Sequence, residues 1–135
     1  MLPRMSRIRI LSYFPGIDIA KVCYQCEKPK CIEACLVNAI HKDENTQSVV
    51  IQEELCTGCR SCVEACPAES MFFHSIRNVA IKCDLCGGEP ECVRHCPERA
   101  IEFRSTPFDA RLPPEAIAED LAALMLIKTG VEFKE

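Results

Sequence analysis

Cysteine is the residue type that dominates the chemistry open to this chain. There are 12 cysteines in 135 residues, and each belongs to one of three quartets. Cys23, Cys26, Cys31 and Cys35 are spaced C-x2-C-x4-C-x3-C. Cys56, Cys59, Cys62 and Cys66 are spaced C-x2-C-x2-C-x3-C and precede Pro67. Cys83, Cys86, Cys92 and Cys96 are spaced C-x2-C-x5-C-x3-C and precede Pro97. The second spacing is a cysteine run that holds a [4Fe–4S] cubane. Thiolates are soft donors suited to iron–sulfur centres, and four of them match the four iron corners of one cubane.

Three thiolates in a tight loop can cap three corners, so the fourth ligand must come from elsewhere in the chain. In two-cluster ferredoxins the fourth cysteine of each run serves the other run's cluster. That rule assigns Cys23, Cys26, Cys31 and Cys66 to one cluster, and Cys56, Cys59, Cys62 and Cys35 to a second. Structural zinc is the competing reading. It needs only two cysteine pairs separated by a longer spacer, which suits the third quartet, with its wider gap, better than the second. A disulfide scaffold fits less well, because the chain carries no secretory signal: residues 1–16 hold Arg4, Arg7 and Arg9 among their apolar positions and offer no apolar core or small-residue cleavage site.

The elements that must position these thiols are short and repeated. Apolar stretches at 49–51, 71–73, 79–81 and 101–103 read as strands. The segments 32–36, 61–66 and 92–96 read as single helical turns, with Pro67 and Pro97 ending two of them. The expected fold is α+β and bacterial-ferredoxin-like, with short β-hairpins and short helices around iron–sulfur clusters. The metal centres then form part of the core, so the apo-chain should be largely disordered. Residues 1–106 make up this three-cluster domain, and residues 107–135 a connector and C-terminal helix. In the latter, 108–114 is irregular and 115–129 is a helix with Glu115 and Glu119 early, Lys128 late and Gly130 just past its end. Its apolar positions Ile117, Leu121, Leu124 and Met125 either pack on the chain's own domain or dock on a partner.

Composition narrows the function. Lys plus Arg number 16 against 20 Asp plus Glu, a net charge of −4, and aromatic content is 6% with no Trp. Neither a basic face nor stacking platforms for nucleic acid are supplied. No apolar run approaches the ~20 residues of a membrane span. There is no Ser/His/Asp grouping, P-loop or dinucleotide-binding pattern, and Gly87-Gly88 is a turn within the third quartet. His41 and His74 have no ligand spacing. His95 could donate to a cluster sulfur but reads first as a surface or packing residue. Tyr24, Phe72 and Phe73 shield the cluster region or simply pack. Lys28 and Lys30 lie in a solvated loop that could steer an acidic partner. Each oxidised cubane adds about −2, so contacts with basic or neutral redox partners should weaken with salt.

A family resemblance rests on particular segments. Ser6-Arg7-Ile8-Arg9-Ile10, Pro15-Gly16-Ile17-Asp18, Val22-Cys23-Tyr24-Gln25-Cys26, Cys56-Thr57-Gly58-Cys59-Arg60-Ser61-Cys62 and Lys82-Cys83-Asp84-Leu85-Cys86 resemble the polyferredoxin iron–sulfur subunits of molybdenum and tungsten oxidoreductases. These are the subunits of the dimethyl sulfoxide reductase, hydrogenase-4 and aldehyde ferredoxin oxidoreductase types. The resemblance spans roughly residues 6–103. It implies four quartets, of which this sequence has three, and a proline where Leu36 stands. It also implies that the first and last quartets exchange fourth cysteines. With three quartets, the economical expectation is that Cys96 closes the third cluster with Cys83, Cys86 and Cys92.

The resulting expectation is an electron-transfer subunit with three [4Fe–4S] clusters and no catalytic residues of its own. It relays single electrons between a soluble donor or acceptor, such as a ferredoxin, and a larger molybdenum- or tungsten-pterin subunit. A chain of this size is similar to the small iron–sulfur subunit of class II benzoyl-coenzyme A reductase, which implies an anaerobic organism. The absence of a signal in the sequence and the oxygen-lability of the clusters make the cytoplasm the expected compartment. The alternative is a structural iron–sulfur or zinc module without a redox role.

Overall fold

In a computed structural model, which describes residues 6–104 and 112–129, the chain forms three antiparallel hairpins, three one-turn helices and one longer helix. Hairpin β1 (Arg9–Phe14) and β2 (Ile17–Lys21) turns at Gly16, whose φ of +80° suits a residue without Cβ. Helix α1 (Lys30–Glu33) precedes hairpin β3 (Ile40–Lys42) and β4 (Val49–Ile51), which pairs Ile40 with Ile51 and Lys42 with Val49. Helix α2 (Ser61–Glu64) precedes hairpin β5 (Phe72–His74) and β6 (Val79–Ile81), which pairs Phe72 with Ile81. Helix α3 (Glu91–Arg94) follows, and α4 (Pro114–Thr129) packs against β1 and β2.

The β3–β4 turn is closed by Asp43, whose carboxylate accepts the Asn45 and Thr46 N–H groups and the Thr46 hydroxyl. This is the local side-chain bonding that favours Asp in turns. In the β5–β6 turn, His74 Nδ1 accepts the Arg77 N–H at 3.2 Å. That nearly buried histidine therefore has a structural partner.

The core and the cysteines are one body. Ile40, Val49, Cys62, Met71 and Ala80 are buried together, and Cys31, Cys35, Cys56 and Cys66 pack against them. Phe72, Val79 and Ile81 form a second group that also rests on Cys56. The apolar content of such short strands is small, so the thiols occupy ground that Leu or Phe would hold in a domain without metal.

Two elements differ from the sequence expectation. Segment 101–103 is not a strand: Ile101 and Phe103 are about half exposed, and no facing strand among the described residues supplies a ladder. On α4, it is Pro114 and Ala118 that are buried, while Leu121, Leu124 and Met125 are 41%, 54% and 48% exposed. Close approach of a helix to a hairpin favours the small Ala118 over the larger apolar side chains. Arg4, Pro107, Phe108, Gly130 and the Lys128 side chain lie outside what the structure describes.

Candidate iron–sulfur site

The three quartets share a backbone scheme that spacing alone does not display. The residue before the second cysteine of each quartet is left-handed: Gln25 at φ 51°, Gly58 at 74° and Leu85 at 57°. The residue three past each fourth cysteine is left-handed too: Asn38 at 52°, Glu69 at 47° and Arg99 at 49°. At those positions the N–H returns to the cysteine carbonyl, Asn38 to Cys35, Glu69 to Cys66 and Arg99 to Cys96. One residue further, Ala39 N–H donates to Cys35 Sγ at 3.2 Å and Ala100 N–H to Cys96 Sγ at 3.3 Å, while the Ser70 hydroxyl meets Cys66 Sγ at 3.5 Å. Only one of these six left-handed positions is glycine, so the usual sequence signal for such backbone is missing at the other five.

The folded chain gathers the thiols into cavities whose membership crosses between quartets. One cavity is lined by Cys23, Cys26 and Cys31 of the first quartet and by Cys66 of the second. Another is lined by Cys56, Cys59 and Cys62 of the second quartet and by Cys35 of the first. A third is lined by Cys83, Cys86 and Cys92, and its wall also includes Cys23 and Tyr24, which it shares with the first cavity. Cys96 does not belong to that wall. His41, His74 and His95 line none of the three.

The electrostatics carry the same grouping. Burial pushes the Cys31 thiol up to about 12, and negative charge on Cys23, Cys66 and Cys26 pushes in the same direction. Burial likewise raises Cys62 to about 11, with Cys56, Cys35 and Cys59 adding to it. Each buried thiol thus feels the other three members of its cavity. Cys83 is raised by burial and by Cys23, while the Leu85 N–H and Lys82 oppose the rise. Exposed Cys59 goes the other way, held down by the Ser61 hydroxyl and the Ser61 N–H. Four thiolates forced this close repel one another, and a multivalent iron centre resolves that repulsion by bonding to all of them. Among the described residues no three His, Cys, Asp or Glu groups converge to hold a single metal ion; the thiols surround a space rather than a point. The donor set fits iron–sulfur cubanes.

Two polar side chains that spacing did not single out brace the cavities, Lys82 in the wall of the first and Gln25 in that of the third. Gln25 accepts the Val49 N–H through Oε1 at 2.8 Å and donates from Nε2 to the Cys83 carbonyl at 2.9 Å. The Lys82 ammonium is 4% exposed and donates to the carbonyls of Val49 and Cys83, the latter at 2.7 Å. Together they tie the loop of the first quartet to β4 and to the first cysteine of the third. A lysine flanking a cysteine reads as an ordinary surface charge in sequence, and nothing local marks it as buried.

Among the described residues no helix is long and apolar enough to cross a membrane.

Known proteins match part of this chain. A polyferredoxin-like subunit of an aliphatic sulfonate oxidoreductase from Pyrococcus furiosus is 46% identical over 67 residues, covering 50% of this chain and 39% of that protein. A tetrathionate reductase subunit from Archaeoglobus fulgidus is 39% identical over 59 residues, covering 44% of this chain and 28% of that one. The perchlorate reductase beta subunit from Dechloromonas aromatica is 38% identical over 60 residues, with 44% and 18% covered. The chain thus spans well under half the length of these curated relatives. The family model of the 4Fe-4S dicluster domain matches residues 16–106, the stretch that contains all three quartets. With its thiols gathered into cavities shared between quartets and that model running through them, the chain is a [4Fe–4S] cluster-binding protein and belongs to the 4Fe-4S dicluster domain family.

Proposed function

We propose that the chain is an electron-transfer subunit that relays single electrons through three [4Fe–4S] clusters, between a soluble cytoplasmic donor or acceptor and a larger catalytic oxidoreductase subunit. The observation that carries this reading is the crossed membership of the first two cavities, in which Cys66 stands with Cys23, Cys26 and Cys31 while Cys35 stands with Cys56, Cys59 and Cys62. A structural metal site needs no such exchange, whereas a relay gains from it because it holds two centres at short range. When bound, each cluster supplies a centre that takes up and gives back one electron. The chain's own residues hold the centres, exclude water through Met71, Ala80 and Val49, and keep the stations adjacent.

Residues Cys83, Cys86 and Cys92 are assigned to the third cluster, and Cys96, which does not line that cavity, is assigned as its closing ligand on the quartet spacing. Cys23 and Tyr24 line both the first and the third cavity, which supports reading the first as the middle station of the three. The large partner is proposed to be a molybdenum- or tungsten-pterin subunit, with the tungsten enzyme of benzoyl-coenzyme A reduction or an aldehyde oxidoreductase as the specific candidates. The relatives named as subunits of sulfonate, tetrathionate and perchlorate oxidoreductases support the general class.

The test is iron, sulfide and zinc per chain on anaerobically purified protein, followed by Cys66→Ala and Cys96→Ala. The expected count is near ~12 iron and ~12 sulfide, at ~4 of each per cubane. Brown colour that bleaches with dithionite should accompany it. In Cys66→Ala, alkylation and mass spectrometry should find Cys23, Cys26 and Cys31 newly labelled. Labelling of Cys56, Cys59 and Cys62 instead would refute the exchange. An unchanged third-cluster signal in Cys96→Ala would remove Cys96 from the ligand set, and zinc in place of iron would end the electron-relay reading.

A further inference from the structure

The walls of the three cavities hold four cations that differ in kind: Lys30 and Lys82 at the first, Arg60 at the second and Arg7 at the third. Lys30 is exposed to screening water. Arg60, at the second cavity, is exposed, and its guanidinium lies 4.1 Å over the Phe73 ring, where water screens its charge. Arg7, at the third, is ion-paired with Asp84, and Glu102 stands in the same wall, so negative charge offsets it. Lys82, at the first, is 4% exposed, and it donates to two neutral carbonyls, those of Val49 and Cys83. A charge that is buried, unscreened and not paired with a carboxylate acts at far lower effective dielectric than the other three. It favours whichever state of its neighbour is more negative.

We infer that Lys82 is a potential-setting residue that stabilises the reduced form of the cluster in the first cavity, so that this middle station is the first of the three to take an electron. Charge and hydrogen bonding around the sulfurs are established determinants of cluster potential. The inference rests on the electron-relay reading and specifies how the charge of one side chain ranks the stations. Lys82 touches no reacting atom; it acts through the field in the cavity and through the position of the Cys83 carbonyl. Both effects depend on its burial behind β4 and β6.

The experiment uses the anaerobic holoprotein and reads potential rather than activity. Iron and sulfide are counted first, in the unaltered chain and in Lys82→Met, Lys82→Gln and Lys82→Arg. Absence of iron in the unaltered chain overturns the relay reading and this inference with it. With iron present, a potentiometric titration followed by EPR should show one cluster in Lys82→Met whose one-electron reduction constant falls tenfold or more, about 59 mV. Lys82→Arg should stay within about threefold of the unaltered protein. The affected signal should be the one that Cys66→Ser also alters. A Lys82→Met protein with full iron and all constants within twofold of the original overturns the inference, as does a shift confined to a signal that Cys66→Ser leaves alone. If both neutral variants lose iron, the unaltered protein decides. The signal sensitive to Cys66→Ser must then be the first to reduce, and any other order overturns the inference.

Discussion

Gly58→Ala is the substitution whose cost follows most directly from the structure. Gly58 lies between Cys56 and Cys59 at φ +74°, and a Cβ there would meet the Asn78 backbone oxygen at 2.6 Å and its side-chain Nδ2 and Oδ1 at 2.7 Å. The left-handed backbone alone costs an L-residue about 1–2 kcal/mol. The contact adds to that, because ordinary van der Waals separation begins at 3.4 Å, so backbone must shift by 3.4 − 2.6 = 0.8 Å. Metal–ligand distances tolerate about 0.2 Å, and the shift falls on a loop carrying two of the second cavity's four thiols. Gly58→Ala should therefore weaken or lose the second cluster, with up to ~4 iron missing per chain. Gly16→Ala is the matched control. Its φ is +80° with nothing within 4 Å of the new Cβ, so it should cost only the backbone term and keep all its iron. Adding Asn78→Ala to Gly58→Ala should recover part of the loss, since the side-chain atoms leave but the carbonyl stays. The assay is iron content and unfolding of the holoprotein under anaerobic conditions. If Gly58→Ala holds as much iron as Gly16→Ala and unfolds alongside it, the steric argument is wrong.

Three further outcomes are expected. Gln25→Ala leaves the Val49 N–H without its partner, while the Cys83 carbonyl keeps the Lys82 ammonium, and should destabilise by about 1–3 kcal/mol, read by denaturant unfolding. At Arg60 the left-handed φ of 66° and the stacking on Phe73 act in opposite senses; Arg60→Gly should be more stable than Arg60→Ala by about 1 kcal/mol, checked by the order of their thermal midpoints. Lys21 pairs with the half-exposed Glu69, and Glu69→Gln should change stability by less than about 1 kcal/mol in the same unfolding assay.

The cysteine spacing made the family and the candidate ligands legible, and the strands at 49–51 and 79–81 could be read from apolar runs. The hairpin of β1 and β2 was harder to see, since Ile10, Leu11 and Phe14 on one strand are all at least two-fifths exposed and no burial alternation marks it. Pro15-Gly16 was its one local signal. Segment 101–103 has the composition of a strand without a partner to pair with, and pairing is a tertiary fact. The left-handed Gln25, Leu85, Asn38, Glu69 and Arg99 were hidden because tertiary packing holds non-glycine residues there. Lys82 was hidden for a related reason: its burial depends on β4 and on the first quartet, which lie far from it in sequence.

The crossed lining of the first two cavities also bears on synthesis. A chain emerging N-terminus first that has reached Cys62 holds seven of the eight thiols in these cavities. The first cavity nevertheless lacks its fourth thiol until Cys66 appears, 35 residues after Cys31. The second cavity also draws on Cys35, made long before its own quartet. The second cavity has its four thiols once Cys62 is made, but its wall also needs Ala80, and the first cavity's needs Met71 and Lys82, so on the proposed reading neither centre is enclosed until the chain has passed residue 80. A truncated nascent chain would carry thiols ready to oxidise or to capture stray metal, which makes the interval between Cys23 and Ala80 the stretch of synthesis most in need of a reducing, metal-buffered surrounding.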